Sequence, residues 1–570
     1  MQSRLRDRFA SDPAAPCLGA LAADGTPTWW TRGQVRQRLA DRCRALREAG
    51  VVAGAACVLA LPSTMECAEL TLAVYLLGAV PLLVAPPVIQ GANSSLLAIL
   101  LDTLRRLRPR LAVCDPSLRH EEGKVAAASP ATRVVYGAPP PVTKGTGNGA
   151  NNGNGHHHDH GELPALDALA GDAIAGLQLT SGTTRSPRVC AWSHRAVLAA
   201  LDGMAEAMAL DGDDVCVNWT PLYHDMGLVN NLLLCASAGV PLLLMTPHQF
   251  AKRPALWLRA LHAAGATVTW SPNFGFALAS RASDRELEGV RLDRVRAFYN
   301  AAERIHPTTM ERFRTRFAPY GLNDGALKAN FGCAENVGGA LFSHPREGWR
   351  SELLDADELE RRGRAVVVPA GFPGRTIEVA SVGRAAPGLA VEVLSPRGRD
   401  LGEGRVGELA LRTASRMSSY LGESRATRRA LDDGRLRTGD LAYRRGDDVF
   451  WVGRLRERIN VAGRKLDPSH FEPLLFALPE LRAGCMAVFG IESAEQGTQR
   501  VVVVAEVRDP ATVDAAALRE AVRSRVRLEL GLRLVDVVLL PPGALAKTSS
   551  GKRRHLHVRR DYLEGKLQSL

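Results

Sequence analysis

Apolar segments with helical spacing alternate with short β-rich runs through the first two thirds of the chain. Val35 to Ala49 has its apolar residues at helical spacing, whereas Cys57 to Leu61 and Arg133 to Tyr136 are short apolar runs. Similar runs recur at Leu242 to Met245 and Thr267 to Trp270. Alternating helices and strands form largely parallel sheets covered by helices, because each helix returns the chain to the start of the next strand. The pattern therefore predicts an α/β protein built in layers.

The longest apolar run extends from Leu70 to Pro87. Gly78 and Pro81 interrupt it, so it fits a buried helix that passes into a buried strand better than a membrane span. The N-terminal residues lack the apolar core of a signal peptide. The 10 cysteines include no CxxC pair, which predicts neither a zinc site nor a disulfide framework. We therefore expect a cytoplasmic protein without a membrane span.

The pattern changes after Asp400, where Gly-rich turns separate short alternating strands, with a hairpin turn predicted at Gly446 to Asp448. Beyond Arg454 helices and strands restart over about a hundred residues, a normal size for an independent fold. We therefore predict a large domain over residues 1–455, made of layered α/β subdomains and a small β-rich subdomain. A small, mobile α+β domain over 456–570 follows, and the short junction between the two suits a hinge.

Residues 142–162 form a segment rich in glycine and asparagine that has no pattern able to pack. It is therefore predicted to be a flexible surface loop. Its HHHDH sequence could bind a metal, but without supporting residues around it an adventitious site or simple solvation is the better interpretation.

The formal charge of +12 indicates anionic partners, among which are nucleotides, acidic proteins, nucleic acids and membrane surfaces. The basic residues are dispersed without an RNA- or DNA-reading motif, so we do not expect a nucleic-acid partner. Only 8 of the 72 basic residues are lysines. A lysine in this chain is therefore more informative than an arginine.

The stretch LQLTSGTTRSP, which begins at Leu177, clusters hydroxyl side chains around Gly182. Backbone N–H groups in a turn and short hydroxyls can hold a phosphate, with glycine allowing close approach. The Walker spacing GxxxxGK[ST] is absent, so a Walker-type kinase or ATPase is not supported. Taken alone, the stretch is also consistent with a Ser/Thr-rich turn that follows a strand.

Three later segments carry further candidate groups. WTPLYHDMGL places His224 and Asp225 between apolar residues, where a lone histidine is more often structural. NFGCAENV puts the Phe331 ring four residues before Glu335, an aromatic platform beside a carboxylate that could bind a metal. RTGDLAYR offers Asp440 in a tight turn, as a ribose diol requires.

The combination and order of these segments resemble the adenylate-forming, AMP-binding superfamily over nearly the whole chain. The phrases KTSSGKRRH and GRLRERINVAGRKLDPSHFE belong to the same resemblance. LYHDMGL, Arg185 inside the hydroxyl-rich loop, and an insertion over Ser343 to Val382 are most similar to the fatty acyl-AMP ligase branch. The resemblance implies that a substrate carboxylate attacks the α-phosphate of ATP, which gives an acyl-adenylate and pyrophosphate. Such a reaction needs charge neutralisation more than acid–base chemistry.

The resemblance also implies roles for individual residues. Ser181 to Thr184 would hold the β- and γ-phosphates, Glu335 would help to bind Mg²⁺, and His224 would lie near the reacting groups. Phe331 would stack on adenine, with Asp440 on the ribose. The full set implied to bind ATP or AMP is Thr180, Ser181, Gly182, Thr183, Thr184, Ala302, Glu303, Asn330, Phe331, Gly332, Asp440 and Arg454.

Lys552 is the residue implied to neutralise both the carboxylate and the α-phosphate. Locally it could equally belong to a solvated basic tail, since RRHLHVRR follows, but a lysine is unusual in this arginine-rich chain. The implied second step turns the C-terminal domain about a hinge at Arg456, withdraws Lys552 and admits a pantetheine thiol. In fatty acyl-AMP ligases that thiol belongs to a holo acyl carrier protein rather than to coenzyme A.

The acid-binding pocket is predicted less sharply than the nucleotide site. Its candidate residues are Asn218, Asp225, Asn273, Phe274 and Phe276. Their size and polarity do not fix the chain length. Ala301, where relatives more often have glycine, could crowd the purine, and Arg188 stands where many relatives outside this branch have lysine.

Three functions remain open at this point. The first is an acyl-AMP ligase that loads a carrier protein. The second is an acyl-coenzyme A ligase, or a ligase for a short, polar, aryl or amino acid. The third is an inert nucleotide- or acyl-binding relative, which the intact Lys552, Glu335 and Asp440 disfavour.

Overall fold

The computed structural model describes residues 1–87, 93–137, 162–164, 169–180, 187–493, 498–547 and 553–570. Of the predicted loop 142–162, all but Glu162 lies outside these ranges, and so does the HHHDH sequence. No helix within them is both long enough and apolar enough to cross a membrane.

The first sheet is mostly parallel. In spatial order its strands are β19 (Ser419–Tyr420), β8 (Val189–Ser193), β7 (Ile174–Leu179), β4 (Val80–Leu83), β3 (Ala56–Ala60), β5 (Leu111–Cys114) and β6 (Arg133–Tyr136). Strand β8 pairs antiparallel with both neighbours, and the other pairs are parallel. The helices of this region are α2 (Arg32–Glu48), α3 (Met65–Leu76), α4 (Asn93–Leu107), α5 (Glu122–Ala128) and α6 (His194–Ala207), with a 3₁₀ turn at Pro116–Glu121.

Burial of the first sheet on both faces explains its continuously apolar strands. Cys57 and Leu59 of β3 pack into one core, and Val58 and Ala60 pack into another on the opposite face. Successive side chains of a strand point to opposite faces, so a strand covered on both sides has apolar residues throughout. The run Leu70 to Pro87 is confirmed as a buried helix that leads into a buried strand, α3 followed by β4.

The second sheet changes from parallel to antiparallel pairing along its width. Its parallel half contains β1 (Pro16–Leu21), β10 (Leu242–Leu244), β9 (Cys216–Asn218), β11 (Val268–Pro272), β12 (Ala297–Ala301) and β13 (Leu327–Cys333), with β2 (Pro27–Thr31) antiparallel at the edge. Helices of this half are α1 (Gln2–Ala10), α7 (Asp225–Gly227), α8 (Leu234–Ala238), α9 (Pro247–Lys252), α10 (Ala255–Ala264), α11 (Asn273–Ala279) and α12 (Pro307–Phe317). A π-helical stretch, Leu228–Leu233, joins α7 to α8, and 3₁₀ turns occupy Ala318–Tyr320 and Asp324–Ala326.

The antiparallel half continues the same sheet. Its strands are β14 (Gly338–Phe342), β16 (Thr376–Ala385), β22 (Asp448–Arg454), β21 (Arg435–Arg445), β18 (Gly407–Arg412) and β17 (Ala390–Leu394), while β15 (Ser351–Asp355) pairs with β16 and β20 (Leu431–Asp432) with β21. Helix α13 (Ser424–Ala430), a π-helical stretch at Glu358–Arg362 and a 3₁₀ turn at Ala334–Asn336 complete it. The predicted β-rich region after Asp400 is therefore part of a larger sheet and begins earlier, at β14. The predicted hairpin is confirmed, with its turn between β21 and β22.

The C-terminal region has its own small sheet and core. Strands β25 (Leu481–Ser493), β26 (Thr498–Val507) and β27 (Leu534–Leu540) form the sheet, and β23 (Ile459–Val461) and β24 (Arg464–Leu466) form a hairpin. Its helices are α14 (Glu472–Leu475), α15 (Ala515–Leu530) and α16 (His555–Leu563), with a 3₁₀ turn at Pro468–His470. An apolar core over residues 459–539 is separate from the cores of the two larger sheets.

Candidate active site

A cavity of about 1190 Å³ lies where the carboxyl ends of strands β4, β7, β12 and β13 meet the C-terminal region. Ligand sites of α/β sheets are common at this edge, because strand ends there are followed by loops that can carry polar groups. The predicted site residues that line the cavity are Thr180, His224, Asp225, Ala302, Glu303, Asn330, Phe331, Gly332, Glu335, Asp440, Arg454 and Arg456. The predicted residues Ser181, Gly182, Thr183, Thr184 and Lys552 lie outside the described residues, as does Arg185.

Thr180 and Arg188, which flank the hydroxyl-rich segment, are bonded to each other. The Thr180 amide donates to the Arg188 carbonyl at 2.8 Å, and the Arg188 amide donates to the Thr180 hydroxyl at 3.1 Å. The Arg188 guanidinium donates to Glu423 at 2.9 Å and stacks over the Tyr420 ring at 5.0 Å. Arg188 therefore connects the end of β7 to the segment around Tyr420 and Glu423.

Glu335 is positioned by Tyr420, a residue that the sequence does not single out. The Tyr420 hydroxyl donates to Oε1 of Glu335 at 2.6 Å, and the Met417 amide donates to the Glu335 carbonyl at 2.7 Å. The Trp192 indole N–H fixes the same turn by donating to the Ala334 carbonyl at 2.7 Å. Burial, together with the nearby Glu335 carboxylate, raises the pKa of Tyr420, so its hydroxyl keeps its proton and donates.

The surroundings of Glu335 suit a magnesium ion that binds with its substrate. Mg²⁺ usually takes one or two carboxylates and completes its shell with phosphate oxygens and water. Within the described ranges, no three His, Cys, Asp or Glu side chains come together as a preformed metal cage. Glu335 is a single carboxylate on the cavity wall, and no described residue donates to its Oε2. This donor set fits Mg²⁺ carried by a nucleotide rather than a permanently bound ion.

Asp440 lies in a rigid polar corner at another part of the cavity. It is 5% exposed, and its Oδ1 accepts a 2.9 Å hydrogen bond from the Trp451 indole N–H. The Arg454 Nε lies 3.4 Å from the same oxygen, because Asp440 and Arg454 are paired across β21 and β22. The Asp440 carboxylate raises the pKa of Arg454. With one oxygen held by Trp451 and Arg454, the carboxylate is oriented to accept hydrogen bonds from a diol.

Backbone strain marks the segment predicted to face the purine. Ala302 has φ +72°, a left-handed conformation that alanine adopts at a cost of about 1 kcal/mol or more. Ala301, which the sequence suggested as a source of crowding, ends the buried strand β12. Glu303 accepts a 2.7 Å hydrogen bond from the Phe274 amide, which anchors its carboxylate on the cavity wall. Phe331 is half-buried on the cavity wall.

His224 and Asp225 form a pair on the cavity wall. Nδ1 of His224 lies 2.7 Å from Oδ1 of Asp225, and the Met226 amide lies 3.2 Å from the same nitrogen. Both contacts involve Nδ1, which leaves Nε2 of His224 for a substrate.

Most of the predicted acid-binding residues do not form part of the wall of this cavity. The Asn218 amide bonds to the Thr220 carbonyl at 2.9 Å and fixes its own turn. Asn273 accepts from the Asn300 amide and from the His306 backbone, both at 3.1 Å. Phe276 is fully buried in an aromatic cluster with Trp257 at 5.7 Å.

Of the five predicted residues, Asp225 lines the cavity; Asn218, Asn273, Phe274 and Phe276 do not. Their motifs place them at the ends of β9 and β11. The side chains of Asn218, Asn273 and Phe276 make their contacts in the core, whereas the Phe274 amide bonds to Glu303 on the cavity wall.

A buried ion-pair network closes the cavity on the C-terminal side. Glu472 is 2% exposed; its Oε2 lies 3.3 Å from Nε2 of His306, and its Oε1 lies 2.6 Å from the Arg553 guanidinium. Burial opposes ionisation of Glu472, but Arg553 and His306 outweigh it and lower its pKa to about 2. Sequence patterns could not reveal this network, because its members are far apart in the chain.

The predicted hinge is anchored next to this network. The Arg454 amide donates to Oδ2 of Asp467 at 3.2 Å, and the Ser469 amide donates to Oδ1 at 2.9 Å. A Cβ atom at Gly453 would lie 2.2 Å from Oδ2 of Asp467, so only glycine fits there. Arg456, two residues beyond this anchor, lines the cavity.

The chain is similar to known proteins in family, sequence and fold. A family model described as AMP-binding enzyme matches residues 5–421. An acyl-CoA synthetase, so named, of Caulobacter vibrioides is 32% identical over 405 residues, which cover 70% of each chain. A long-chain-fatty-acid–AMP ligase of Mycobacterium tuberculosis, FadD30, is 31% identical over 430 residues, 71% of this chain and 72% of that protein.

Two further similarities involve carrier-protein ligation and overall fold. A medium-chain-fatty-acid–[acyl-carrier-protein] ligase of Moorena producens, JamA, is 30% identical over 411 residues, 70% of this chain and 69% of that protein. A solved structure from work on fatty acyl-adenylate ligases of E. coli and L. pneumophila superposes with a TM-score of 0.88 at 25% identity. It covers 99% of this chain and 98% of the other. The adenylate-forming fold predicted from the sequence is thereby confirmed.

Proposed function

The chain belongs to the AMP-binding enzyme family of adenylate-forming acyl ligases, and we propose that it activates a fatty acid and loads it onto a carrier protein. In the first step, a carboxylate oxygen attacks the α-phosphate of ATP, the bond to the β-phosphate breaks, and an acyl-adenylate and pyrophosphate form. In the second step, a pantetheine thiol attacks the acyl carbon, AMP leaves, and the thiol proton is released.

One observation carries this proposal. Side chains from widely separated segments, among them Glu335, Asp440 and His224, converge on one cavity of about 1190 Å³. Glu335 and Asp440 are both fixed by a neighbouring donor, at 2.6 Å from Tyr420 and 2.9 Å from Trp451. Preorganised polar groups of this kind stabilise a charged transition state without the cost of reorganisation.

Each of the site residues binds a different part of ATP. Asp440 accepts hydrogen bonds from the ribose hydroxyls, Phe331 stacks on the base, and the 181–184 loop holds the β- and γ-phosphates. Glu335 holds Mg²⁺, which supplies charge neutralisation for the phosphate oxygens when bound. His224, through Nε2, donates to the reacting carboxylate or the α-phosphate.

Lys552 neutralises the reacting groups during adenylate formation. The buried Glu472–Arg553 contact at 2.6 Å supports this role, because it holds the residue next to Lys552 at the cavity wall. A compact ammonium at that position can lie between two anionic groups and stabilise the charge that passes from one to the other. For the second step, residues 456–570 turn about Arg456 relative to residues 1–455 and remove Lys552 from the site.

The names of the relatives support a fatty acid as substrate and a carrier protein as acceptor. FadD30 is named for ligation of long-chain fatty acids to AMP, and JamA for ligation of medium-chain fatty acids to an acyl carrier protein. The name of the Caulobacter relative favours coenzyme A as a second candidate acceptor. Both acceptors present the same pantetheine thiol, so the adenylation step is common to the two functions.

Acceptor competition tests the proposal. The enzyme is incubated with ATP, Mg²⁺ and saturated fatty acids of increasing length, and pyrophosphate release identifies the active acids. Each active acid is then offered to coenzyme A and to holo carrier proteins at equal thiol concentration. Faster acylation of a carrier protein is expected, whereas faster acylation of coenzyme A would favour the second function.

A further inference from the structure

Helix α13 presents three arginines beside the mouth of the cavity. Arg425, Arg428 and Arg429 occupy positions i, i+3 and i+4, so they share one side of the helix. All three are solvent-exposed, and all three line the outer part of the cavity. They therefore form a compact basic surface next to the entrance.

These arginines differ from their neighbours in having no carboxylate partner among the described residues. Arg435 lies 2.7 Å from Glu392, and Arg437 donates to Glu408 at 3.0 Å. Unpaired, exposed like charges on one short helix repel one another. The three α13 arginines thus form a cluster of positive charges that no described carboxylate pairs directly.

The segment that leads into α13 is bonded to residues of the reaction centre. Glu423, just before α13, accepts from Arg188 at 2.9 Å, and Tyr420 bonds to Glu335 at 2.6 Å. Leu421, between them, is 39% exposed, an uncommon exposure for a large apolar side chain in this protein. Arginine is enriched at protein interfaces, and an exposed apolar residue beside three arginines is compatible with a protein-docking surface.

We propose that Leu421, Arg425, Arg428 and Arg429 form the docking surface for an acidic carrier protein, at the mouth of the cavity that its pantetheine thiol must enter. This inference rests on the proposed function. Complementary charge speeds and orients encounter more than it adds affinity. The surface therefore acts on capture of the carrier and leaves adenylate formation to the residues inside the cavity.

A charge-reversal pair of variants tests the docking surface. The first variant carries Arg425→Glu, Arg428→Glu and Arg429→Glu. The matched control carries Lys252→Glu, Arg281→Glu and Arg285→Glu, three exposed residues that do not line the cavity. Both changes alter the net charge equally, so a nonspecific charge effect would appear in both. The acceptor is whichever holo carrier protein the wild type acylates fastest, with free pantetheine as the second acceptor.

We expect the α13 variant to raise the KM for the carrier protein at least tenfold, while its pyrophosphate release and its use of pantetheine stay within twofold of wild type. The control variant should keep the wild-type KM for the carrier protein. Added salt should slow acylation of the carrier by the wild type and the control, but not by the α13 variant. An unchanged KM in the α13 variant would overturn the docking surface. An equal loss with pantetheine would also overturn it, since the arginines would then serve the thiol path. If wild type forms adenylate but acylates no carrier, the proposed acceptor is wrong and the docking surface fails with it.

Discussion

The hydroxyl of Tyr420 donates a 2.6 Å hydrogen bond to Oε1 of Glu335, a residue 85 positions earlier in the chain. The bond connects strand β19 of the first sheet to the turn after β13 of the second. It fixes the one carboxylate that we assign to Mg²⁺. Glu335 is recognisable in its motif, but the group that orients it is set by how the two sheets pack.

Removal of this hydroxyl should weaken the metal-dependent step. A hydrogen bond to a charged group contributes about 1.5–3 kcal/mol, so Tyr420→Phe should lower kcat/KM for ATP by about 10- to 100-fold. The Mg²⁺ concentration for half-maximal pyrophosphate release should rise as well. Tyr136→Phe is the control, because the Tyr136 hydroxyl has no partner among the described residues. A wild-type Mg²⁺ response in Tyr420→Phe would contradict the assigned role.

Substitutions of Asp440 or of its hydrogen-bond donor Trp451 should impair nucleotide binding alone. Trp451→Phe keeps an aromatic ring but removes the N–H that donates to Asp440 at 2.9 Å. We expect the KM for ATP to rise about 3- to 10-fold with little change in kcat, because a uniform binding interaction is lost. Asp440→Asn should raise the KM further. An Asp440→Asn enzyme with the wild-type KM for ATP would show that the ribose binds elsewhere.

The Glu472 network predicts a selective loss of the first step. Removing one partner of a buried ion pair costs about 3–5 kcal/mol, so Glu472→Gln should free Arg553 and lower the rate of adenylate formation by at least tenfold. Transfer from chemically synthesised acyl-adenylate to a thiol should be spared, since that step does not use Lys552.

Glu360→Gln is the matched control for Glu472→Gln. Glu360 is as buried as Glu472 and pairs with Arg464 at 2.9 Å. Arg553 pairs with Glu472 and not with Glu360. If Glu472→Gln and Glu360→Gln slowed both steps alike, Glu472 would have only a structural role.

His194 predicts a pH dependence of stability that is independent of catalysis. Burial lowers its pKa from 6.5 to about 4, and its Nε2 has no hydrogen-bond partner in the described part of the chain. Between these two values the unfolded chain binds a proton that the folded protein does not, so stability falls as the pH drops from 6.5 toward 4. From pH 7.5 to pH 5 the loss should be about 2 kcal/mol relative to His194→Gln, measured by urea unfolding. Parallel pH profiles of the two proteins would contradict this.

The fold was predictable where local pattern decides it. The alternation of helices and strands indicated the α/β layers, and the hairpin between β21 and β22 followed from its turn residues. The extent of the second sheet was not predictable, because β16 pairs with β14 and with β22, strands that lie far from it in the chain and share no local pattern with it.

Some residues of the candidate site were likewise predictable from local sequence, and others were not. Glu335, Asp440 and His224 could be proposed from the sequence because each lies in a short, chemically unusual motif, and all three line one cavity. Tyr420 and Trp451, which hold two of them, are single aromatic residues without a local signal. The predicted acid-binding residues stay a prediction: Asn273 and Phe276 follow a strand that ends at the cavity, but the side-chain contacts of both are with neighbouring buried residues.

The most direct measurement of the central claim is pyrophosphate release with an active fatty acid in wild type and Lys552→Ala. The control is Lys566→Ala, which changes a lysine that pairs with Glu564 at 2.5 Å near the C-terminus. Losing an electrostatic contact made in the transition state lowers the rate by about 10²- to 10³-fold. We predict such a loss for Lys552→Ala and a wild-type rate for Lys566→Ala. Adenylate formation by Lys552→Ala at the wild-type rate would contradict the account.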